Sequence, residues 1–187
     1  MNILLVNNAT KYLRNIKASL KDHKVHTVKY THIPKDLSMF DAIILSGGYR
    51  FNVIDHEKDY TKELRLIRTT NKPIFGICLG FELICYAYHE KLEKLRAKEN
   101  GIIRLKILKK DNIFKNVKNI RVFENHRWRV RKVKNLVELA SSKDGIEIVK
   151  HKSKRIYGVQ FHPEKFHNKT QGYNILKNFI DITGNQA

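Results

Sequence analysis

The sequence predicts a three-layer α/β/α sandwich with a mostly parallel central sheet and an antiparallel extension. In the first half of the chain, short apolar runs alternate with helix-length amphipathic stretches. This alternation is typical of parallel strands joined by right-handed crossovers. From residue 102 to residue 161, several β-patterned runs follow one another with no helix between them, which favours antiparallel strands added to the same sheet. Together the two halves predict a flavodoxin-like α/β fold.

The individual elements follow from their local patterns. Strands are predicted where short β-branched or apolar runs are bounded by polar or turn-forming residues, at residues 2–6, 25–30, 41–45, 73–77, 102–108, 120–123, 136–140, 146–150 and 156–161. Helices are predicted where apolar residues recur every three or four positions, at residues 10–20, 57–69, 79–89 and 171–182. Pro34 and residues 36–40 are predicted to connect into the third strand.

Length and composition predict one globular domain over residues 1–187. The chain is 42% hydrophobic and has no Pro-, Gly- or Ser-rich linker, so one sizeable core is expected. Cys78 and Cys85 have neither a zinc-binding nor a redox spacing, and no metal or cofactor is expected. The apolar run after Met1 is too short for a secretory signal and no stretch approaches a membrane span. A cytoplasmic protein without a membrane partner is therefore expected.

Residues 73–82 have the pattern of a turn that carries a nucleophile. A short apolar strand breaks at Cys78, between Gly76 and Gly80, and an apolar helix follows. The partial positive charge of a helix amino terminus is expected to lower the pKa of this thiol. The backbone amide of Leu79 is expected to point toward the space that the sulfur occupies. A lone cysteine in such a place is more often a small core residue, so this segment alone leaves both interpretations open.

Residues 156–164 supply a partner for the thiol. The strand predicted there ends near His162, and Pro163 keeps the chain extended, so the side chains of His162 and Glu164 project to the same side. A carboxylate beside an imidazole fixes its tautomer and stabilises the imidazolium. Alone, the pair is compatible with a capped strand end. In combination with Cys78, it favours a triad of nucleophile, base and orienting acid.

The two segments together resemble the class I, triad-type glutamine amidotransferases, and the resemblance covers nearly the whole chain. It implies that Cys78 is the nucleophile, that His162 is the general base and acid, and that Glu164 orients the imidazole. Residues 46–48, Ser-Gly-Gly, are similar to the oxyanion loop of the family. The implied substrate is L-glutamine, which is hydrolysed to glutamate and ammonia through a γ-glutamyl thioester.

By the same resemblance, the backbone amides of Gly48 and Leu79 would form the oxyanion hole. Tyr49 stands where the oxyanion loop commonly has proline. Most members continue the cysteine motif with His-Gln, and the glutamine contacts the substrate; here these positions hold Phe81 and Glu82. Glu82 is therefore a candidate substrate-binding residue of altered chemistry.

Two functions remain open at this point. Phe81 and Glu82, together with Lys165, resemble the related γ-glutamyl hydrolases, which act without a partner. Length and residues 157–164 are more similar to the stand-alone glutaminase subunit of GMP synthetase. A glutaminase of this kind implies a separate ATP-dependent synthetase subunit that uses the ammonia, because the chain shows no ATP-binding loop.

Residues 123–130 form a third candidate segment. They resemble the Asn-His loop by which the small subunits of carbamoyl-phosphate synthetase hold the amino-acid end of the substrate, which implies substrate contacts from Asn125, His126 and Trp128. An exposed basic strand or hairpin whose Trp128 packs on the sheet is an equally good interpretation.

The charge of the chain is strongly positive. Lys and Arg number 37 against 18 acidic residues, which gives a formal net charge of +19. Such a field attracts polyanions and steers association with acidic partners. Because the basic residues are spread along the whole chain and no nucleic-acid-binding motif is present, specific nucleic-acid binding is not expected. Docking onto an acidic synthetase subunit is favoured instead.

Overall fold

A computed structural model describes residues 1–184, and its secondary structure alternates as predicted in the first half of the chain. The strands are β1 (Asn2–Asn8), β2 (Lys24–Lys29), β3 (Ala42–Gly48), β4 (Ile74–Ile77), β5 (Leu92–Arg104), β6 (Lys106–Ile107), β7 (Arg121–Val130), β8 (Leu136–Ser141), β9 (Ile146–His151) and β10 (Ile156–Val159). The helices are α1 (Leu13–Ser19), α2 (Thr61–Thr69), α3 (Leu79–Ala87) and α4 (Gly172–Gly184). Short 3₁₀ turns lie at Tyr30–His32, Glu57–Tyr60 and Asn112–Phe114.

The central sheet has eight strands in the order β2-β1-β3-β4-β10-β9-β8-β6. The first five of these are parallel, and β9, β8 and β6 continue the sheet in antiparallel fashion. The parallel part has the 2-1-3-4-5 order of the flavodoxin-like fold, with β10 as the fifth strand. The predicted fold class and its antiparallel extension are confirmed.

Alternate residues of β1 show how the three layers are held together. Ile3 and Leu5 belong to a core cluster shared with α1 and α4, whereas Leu4 and Val6 belong to a second cluster shared with α2 and α3. Successive side chains of a strand point to opposite faces of its sheet, so each face receives its own apolar layer. All four residues are fully buried, and each such burial stabilises the fold by roughly 1.5–3 kcal/mol.

The middle of the chain differs from the prediction. The strand predicted at 102–108 covers the end of β5 and all of β6, and the strand predicted at 120–123 covers only the start of β7. β5 and β7 pair with each other to form a separate two-stranded sheet, the β5/β7 hairpin. Residues 92–100 are rich in Lys, Glu and Leu, which favour helices. Cross-strand pairing with β7 overrides that local preference, as tertiary context often does for short segments.

Two smaller observations complete the fold. The helix predicted from residue 10 begins at Leu13, because Asn7 and Thr10 side chains accept hydrogen bonds from the backbone amides of Thr10 and Tyr12 and hold a turn there. Within residues 1–184, no helix is long and apolar enough to cross a membrane. The single domain predicted over 1–187 includes three final residues that lie outside the described range.

Candidate active site

The turn at Cys78 has an unusual backbone conformation. Cys78 lies between β4 and α3 with φ 51° and ψ −102°, and such a conformation costs a non-glycine residue about 1–3 kcal/mol. Its amide donates to the Val159 carbonyl at 2.8 Å, and its carbonyl accepts from the Glu82 amide at 3.0 Å. These bonds hold the strained residue in place at the carboxyl edge of the parallel strands, where open α/β sheets place their ligands.

Gly76 and Gly80 allow α3 to pack closely on the sheet. A Cβ at Gly80 would lie 2.4 Å from the Leu45 carbonyl oxygen of β3, and a Cβ at Gly76 would lie 2.5 Å from the Gly80 oxygen. Both distances are too short for any side chain. The two glycines therefore allow the close packing that fixes where the amino terminus of α3 lies.

His162 and Glu164 form a buried pair beyond the end of β10. His162 Nδ1 and Glu164 Oε1 are 2.9 Å apart, and both side chains are almost completely buried. The His162 amide donates to the Phe123 carbonyl of β7 at 2.8 Å. The edge of the imidazole meets the Tyr12 ring at a centroid distance of 4.9 Å. Backbone and side-chain contacts thus fix both the position and the orientation of the imidazole.

The Cys78 turn and the His162–Glu164 pair converge at Gly47. A Cβ at Gly47 would lie 3.1 Å from His162 Cε1 and 3.5 Å from Cys78 Cβ. The Cys78 Cβ and the His162 ring are therefore both close neighbours of Gly47. Any larger residue at this position would push the imidazole away.

The two residues predicted to form an oxyanion hole are also adjacent. A Cβ at Gly48 would lie 2.5 Å from Leu79 Cδ2, which places the end of β3 directly against the first residue of α3. The Leu79 amide donates a hydrogen bond to the Cys78 sulfur. It therefore points toward the thiol, and the role of the Gly48 and Leu79 amides as an oxyanion hole remains a prediction.

The electrostatic environment of the thiol differs from the prediction. Burial raises the pKa of Cys78 well above its usual range, and the carboxylates of Glu82 and Glu164 raise it further. The hydrogen bond from Leu79 opposes this shift but does not reverse it. The predicted lowering of the pKa by the helix terminus is therefore wrong, because desolvation and two nearby carboxylates outweigh the helix dipole. The resting thiol is protonated.

A cavity of about 320 Å³ opens beside Cys78. Its wall includes Cys78, Leu79 and His162 on the sheet side and residues of the β5/β7 hairpin on the other side. Several cations line it: Lys11, Arg50, Lys94, Lys98 and Arg127. The resulting positive potential favours ligands that carry a carboxylate.

Phe81 and Glu82, which depart from the family pattern, have different surroundings. Phe81 is fully buried in the core shared with α2 and α3 and contacts the position of Gly158. Glu82 is almost completely buried and lines the cavity, and its Oε1 accepts from Gln160 Nε2 at 3.2 Å. Burial raises the pKa of Glu82 to about 7, against the effects of Gln160 and His126. Its charge therefore changes near neutral pH.

The three candidate substrate-binding residues of β7, Asn125, His126 and Trp128, differ in their contacts. All of them line the cavity. Asn125 Nδ2 donates to the Tyr12 hydroxyl at 2.8 Å, while its Oδ1 is buried and unpartnered. Trp128 packs against the core shared with α2 and α3, so the hairpin interpretation describes its contacts.

His126 has both ring nitrogens engaged within the protein. Nε2 lies 3.1 Å from Glu124 Oε2, and Nδ1 lies 2.7 Å from the Trp128 carbonyl oxygen. Burial alone would lower the pKa of this imidazole, but Glu124 and the carbonyl outweigh burial and raise it. Substrate contact from His126 remains a prediction, and it would have to come from a ring that is already anchored.

Tyr12 and Gln160 belong to the site, although sequence patterns assigned them no role. Tyr12 contacts His162 and Asn125, and the Lys165 ammonium lies 4.9 Å from its ring centroid. Tyr12 follows the carboxyl end of β1 at the switch point of the sheet, a position that could have indicated it. The contact of Gln160 with Glu82 has no local signal, because its partner lies on another element.

Comparisons with known proteins identify the family of this chain. A family model described as glutamine amidotransferase class-I matches residues 4–182. A subunit of the glutamine-hydrolyzing GMP synthase of Methanococcus vannielii is 33% identical over 97% of this chain and 97% of its own. The corresponding protein of Methanocaldococcus jannaschii is 34% identical, with the same two coverages.

Solved structures are similar as well. The crystal structure of a Thermoplasma acidophilum protein assigned as a GMP synthase subunit has a TM-score of 0.88 at 27% identity, covering 98% of this chain and 94% of that one. A Thermotoga maritima glutamine amidotransferase shares the fold, with a TM-score of 0.74 at 16% identity over 100% of this chain and 83% of that one.

Proposed function

This chain belongs to the class I glutamine amidotransferase family, and we propose that it hydrolyses L-glutamine through a Cys78–His162–Glu164 triad and supplies the ammonia to a separate synthetase subunit. The observation that carries the proposal is the convergence at Gly47, where a single added carbon would lie 3.1 Å from the His162 ring and 3.5 Å from Cys78 Cβ. The names of the two Methanococcus and Methanocaldococcus relatives support GMP synthetase as the acceptor.

The first half of the reaction forms a thioester. His162 Nδ1 is held by Glu164, so Nε2 takes the thiol proton of Cys78 as the sulfur attacks the amide carbon of glutamine. The carbonyl oxygen becomes an oxyanion, which the amides of Gly48 and Leu79 stabilise. The C–N bond then breaks, and the proton on Nε2 goes to the departing nitrogen, which leaves as ammonia.

The second half of the reaction is hydrolysis. Water gives a proton to His162 Nε2 and attacks the thioester carbon, and the same oxyanion hole stabilises the new tetrahedral intermediate. The C–S bond breaks, glutamate leaves, and the thiolate of Cys78 regains its proton from the imidazolium. Glu164 stabilises the imidazolium in both halves.

The protonated resting thiol has a consequence for control of the reaction. Because burial and two carboxylates hold the pKa of Cys78 high, proton transfer to His162 is unfavourable before substrate arrives. A substrate that fills the cavity supplies an electrophile for the nascent thiolate and an oxyanion for the amides. We therefore expect the thiol to react slowly until glutamine binds.

The two cysteines provide a matched test of the proposal. Cys78→Ala should abolish glutamine hydrolysis and covalent labelling by a glutamine-like electrophile, whereas Cys85→Ala, which removes a buried thiol on the same helix, should retain both. Glutamate release, assayed with the synthetase subunit present, measures the first effect, and mass mapping of the label measures the second. A label on Cys85 in the unmodified protein would refute the assignment.

A partner-independent γ-glutamyl hydrolase is the second candidate function, and Glu82 is the observation that favours it. A carboxylate lines the cavity where most amidotransferases have glutamine, and an ionised carboxylate can accept hydrogen bonds but not donate them. If the chain is an amidotransferase, the Glu82→Gln variant should keep or raise glutaminase activity. Rapid partner-free cleavage of γ-glutamyl peptides, poor activity on glutamine, and loss of that cleavage in Glu82→Gln would establish the hydrolase instead.

A further inference from the structure

A second group of buried polar residues lies behind the β5/β7 hairpin. Glu124 and His126 of β7 and Glu147 of β9 are each more than nine-tenths buried. One ligand atom from each residue can be chosen so that all three lie within 4.8 Å of one another. We call these three residues the β7/β9 cluster. The glutaminase mechanism uses neither carboxylate.

The β7/β9 cluster contains carboxylate oxygens that accept no hydrogen bond from an amide or hydroxyl group. Glu124 Oε1 and Glu147 Oε2 are two such buried atoms. The other Glu147 oxygen accepts from the Ser142 hydroxyl at 2.7 Å. The Glu124 and Glu147 carboxyl groups are also within hydrogen-bonding reach of each other, so these two buried acids need either a shared proton or a bound cation between them.

The orientation of His126 also fits a ligand at this place. Its Nδ1 faces the Trp128 carbonyl oxygen at 2.7 Å, and donation to a backbone carbonyl is the usual arrangement behind a metal-ligating imidazole. Nε2 then faces Glu124 Oε2 at 3.1 Å. Two ligand atoms bound at about 2.0–2.1 Å in tetrahedral geometry would be about 3.3–3.4 Å apart, close to this separation.

Two further carboxylates surround the cluster on its solvent side. Glu99 and Asp144 are only partly buried, and they approach Glu124 closely enough to form a second trio of potential ligands. Two cations lie beside them: Lys143 Nζ lies 3.7 Å from Glu99 and 3.9 Å from Asp144, and Arg129 Nη1 donates to the Asp144 backbone carbonyl at 3.5 Å. Four carboxylates thus lie close together in a protein whose formal net charge is +19.

We propose that Glu124, His126 and Glu147 bind one divalent transition-metal ion, which fastens the β5/β7 hairpin to β9 of the central sheet. One imidazole and two carboxylates are donors that suit Mn²⁺, Fe²⁺ and Zn²⁺. No spacing motif indicates this site, because its ligands lie on two strands that are separated by another strand and its turns. The role is structural, since the hairpin forms one wall of the active-site cavity.

Mn²⁺ is the probe that separates this site from the active-site thiol, because thiolates bind it poorly compared with carboxylates. Protein stripped with a chelator should take up one equivalent of Mn²⁺, measured by loss of the free-ion paramagnetic signal. Its melting temperature should rise with Mn²⁺ concentration, because an ion that binds only the folded state stabilises it by mass action.

Glu147→Gln is the test variant, and Glu93→Gln is the control. Glu147→Gln keeps the shape of the side chain and should weaken Mn²⁺ binding at least tenfold and abolish the rise in melting temperature. Glu93 lies on the same hairpin but outside the cluster, so Glu93→Gln should bind Mn²⁺ as the unmodified protein does. If Glu147→Gln fails to fold, Glu124→Gln serves the same purpose.

The proposal is overturned if the stripped unmodified protein takes up no Mn²⁺ at the equivalence point and its melting temperature does not respond. The same conclusion follows if Glu147→Gln and Glu93→Gln bind the ion equally. Either result would mean that the carboxyl groups of the β7/β9 cluster are held together by shared protons and not by a metal ion. Neither readout depends on glutamine hydrolysis, so failure here leaves the proposed triad untouched.

Discussion

Two histidine–glutamate pairs in this protein have the same sequence spacing and similar distances, but different backbones and surroundings. Glu124 and His126 are two residues apart in strand β7, whereas His162 and Glu164 are two residues apart in a turn, and the nitrogen–oxygen distances are 3.1 Å and 2.9 Å. All four side chains are buried. Alternation along an extended backbone explains the Glu124–His126 pair, because residues two apart in a strand project to the same side. The extended conformation predicted for residues 162–164 is wrong: the Lys165 amide donates to the His162 carbonyl at 3.2 Å, and the resulting turn brings Glu164 to the imidazole.

The third partner distinguishes the pairs. The imidazole of His162 is a neighbour of Cys78 across Gly47, whereas the Glu124–His126 pair faces Glu147. The second nitrogen of His126 is bound to a backbone carbonyl. A histidine two residues from a glutamate can therefore lie beside a thiol in one place and beside a buried carboxylate in another, and a distant segment decides which.

Replacing each imidazole in turn tests most directly whether the two histidines have different roles. His162→Ala removes the base that activates the thiol and should lower kcat for glutamine by about 10²–10⁴-fold. His126→Ala should change kcat far less and act on KM and stability, because the ring is anchored away from the thiol. Steady-state kinetics with the synthetase subunit present measures both.

Both substitutions leave a buried carboxylate without its partner, so both variants should melt at a lower temperature than the unmodified protein. Stability therefore does not discriminate between the pairs, and kcat does. Equal losses of kcat in the two variants would contradict the different roles of the two imidazoles.

The orienting carboxylates should give a smaller effect than the base. Glu164→Ala leaves His162 in place, and the imidazole can still take up a productive orientation for part of the time. In nucleophilic triads the loss of the orienting acid is about a hundredfold less damaging than the loss of the base, and the same ranking is expected here. The ranking of kcat values for Glu164→Ala and His162→Ala tests it; a Glu164→Ala variant with full activity would mean that the pair is structural.

Glu82 offers a pH-dependent test of the thiol environment. Its pKa is raised by burial to about 7, and its charge raises the pKa of Cys78. At pH 8 the carboxylate is mostly ionised, so Glu82→Gln should make Cys78 react several-fold faster with iodoacetamide. Near pH 5.5 Glu82 is protonated, and the two proteins should react at similar rates. A rate difference that does not change between these pH values would exclude Glu82 as the cause.

Glu63 is a buried glutamate with no histidine beside it among the described contacts, and its protonation should affect the free energy of unfolding. Neither carboxylate oxygen has a hydrogen bond of good geometry, although Asn8 lies close enough to oppose the shift, and burial raises the pKa to about 8. From pH 4.5 to 8 the folded state holds a proton that the unfolded state has lost, so stability must fall as pH rises through this range. Glu63→Gln should reduce that fall by a few kcal/mol at most.

Thermal unfolding of Glu63→Gln and the unmodified protein at several pH values measures this effect. The melting temperatures should differ most above pH 8 and converge near pH 4.5. An unchanged pH profile would mean that Glu63 is ionised and paired in solution.

Local pattern was sufficient to predict the fold class and to select Cys78, His162 and Glu164 as a group. A strand that breaks at a cysteine between glycines predicts a strand–turn–helix, and a histidine and a glutamate on either side of one proline predict neighbouring side chains, although the backbone between them is a turn and not extended. Both features depend on a few neighbouring residues, whose conformations are fixed by short-range sterics. For the same reason the strands of the parallel sheet were predicted to within a few residues.

Tertiary structure decided everything that depends on burial or on partners from distant segments. It made β5 a strand although its residues favour a helix, and it gave Gly80 a packing role against Leu45. It reversed the expected shift in the pKa of Cys78, because desolvation and two carboxylates exceed the local helix dipole. It also brought Glu147 to the Glu124–His126 pair. Periodicity in a sequence shows which side of a strand a residue occupies, but the dielectric surroundings and the third partner of a site are set only when the chain is folded.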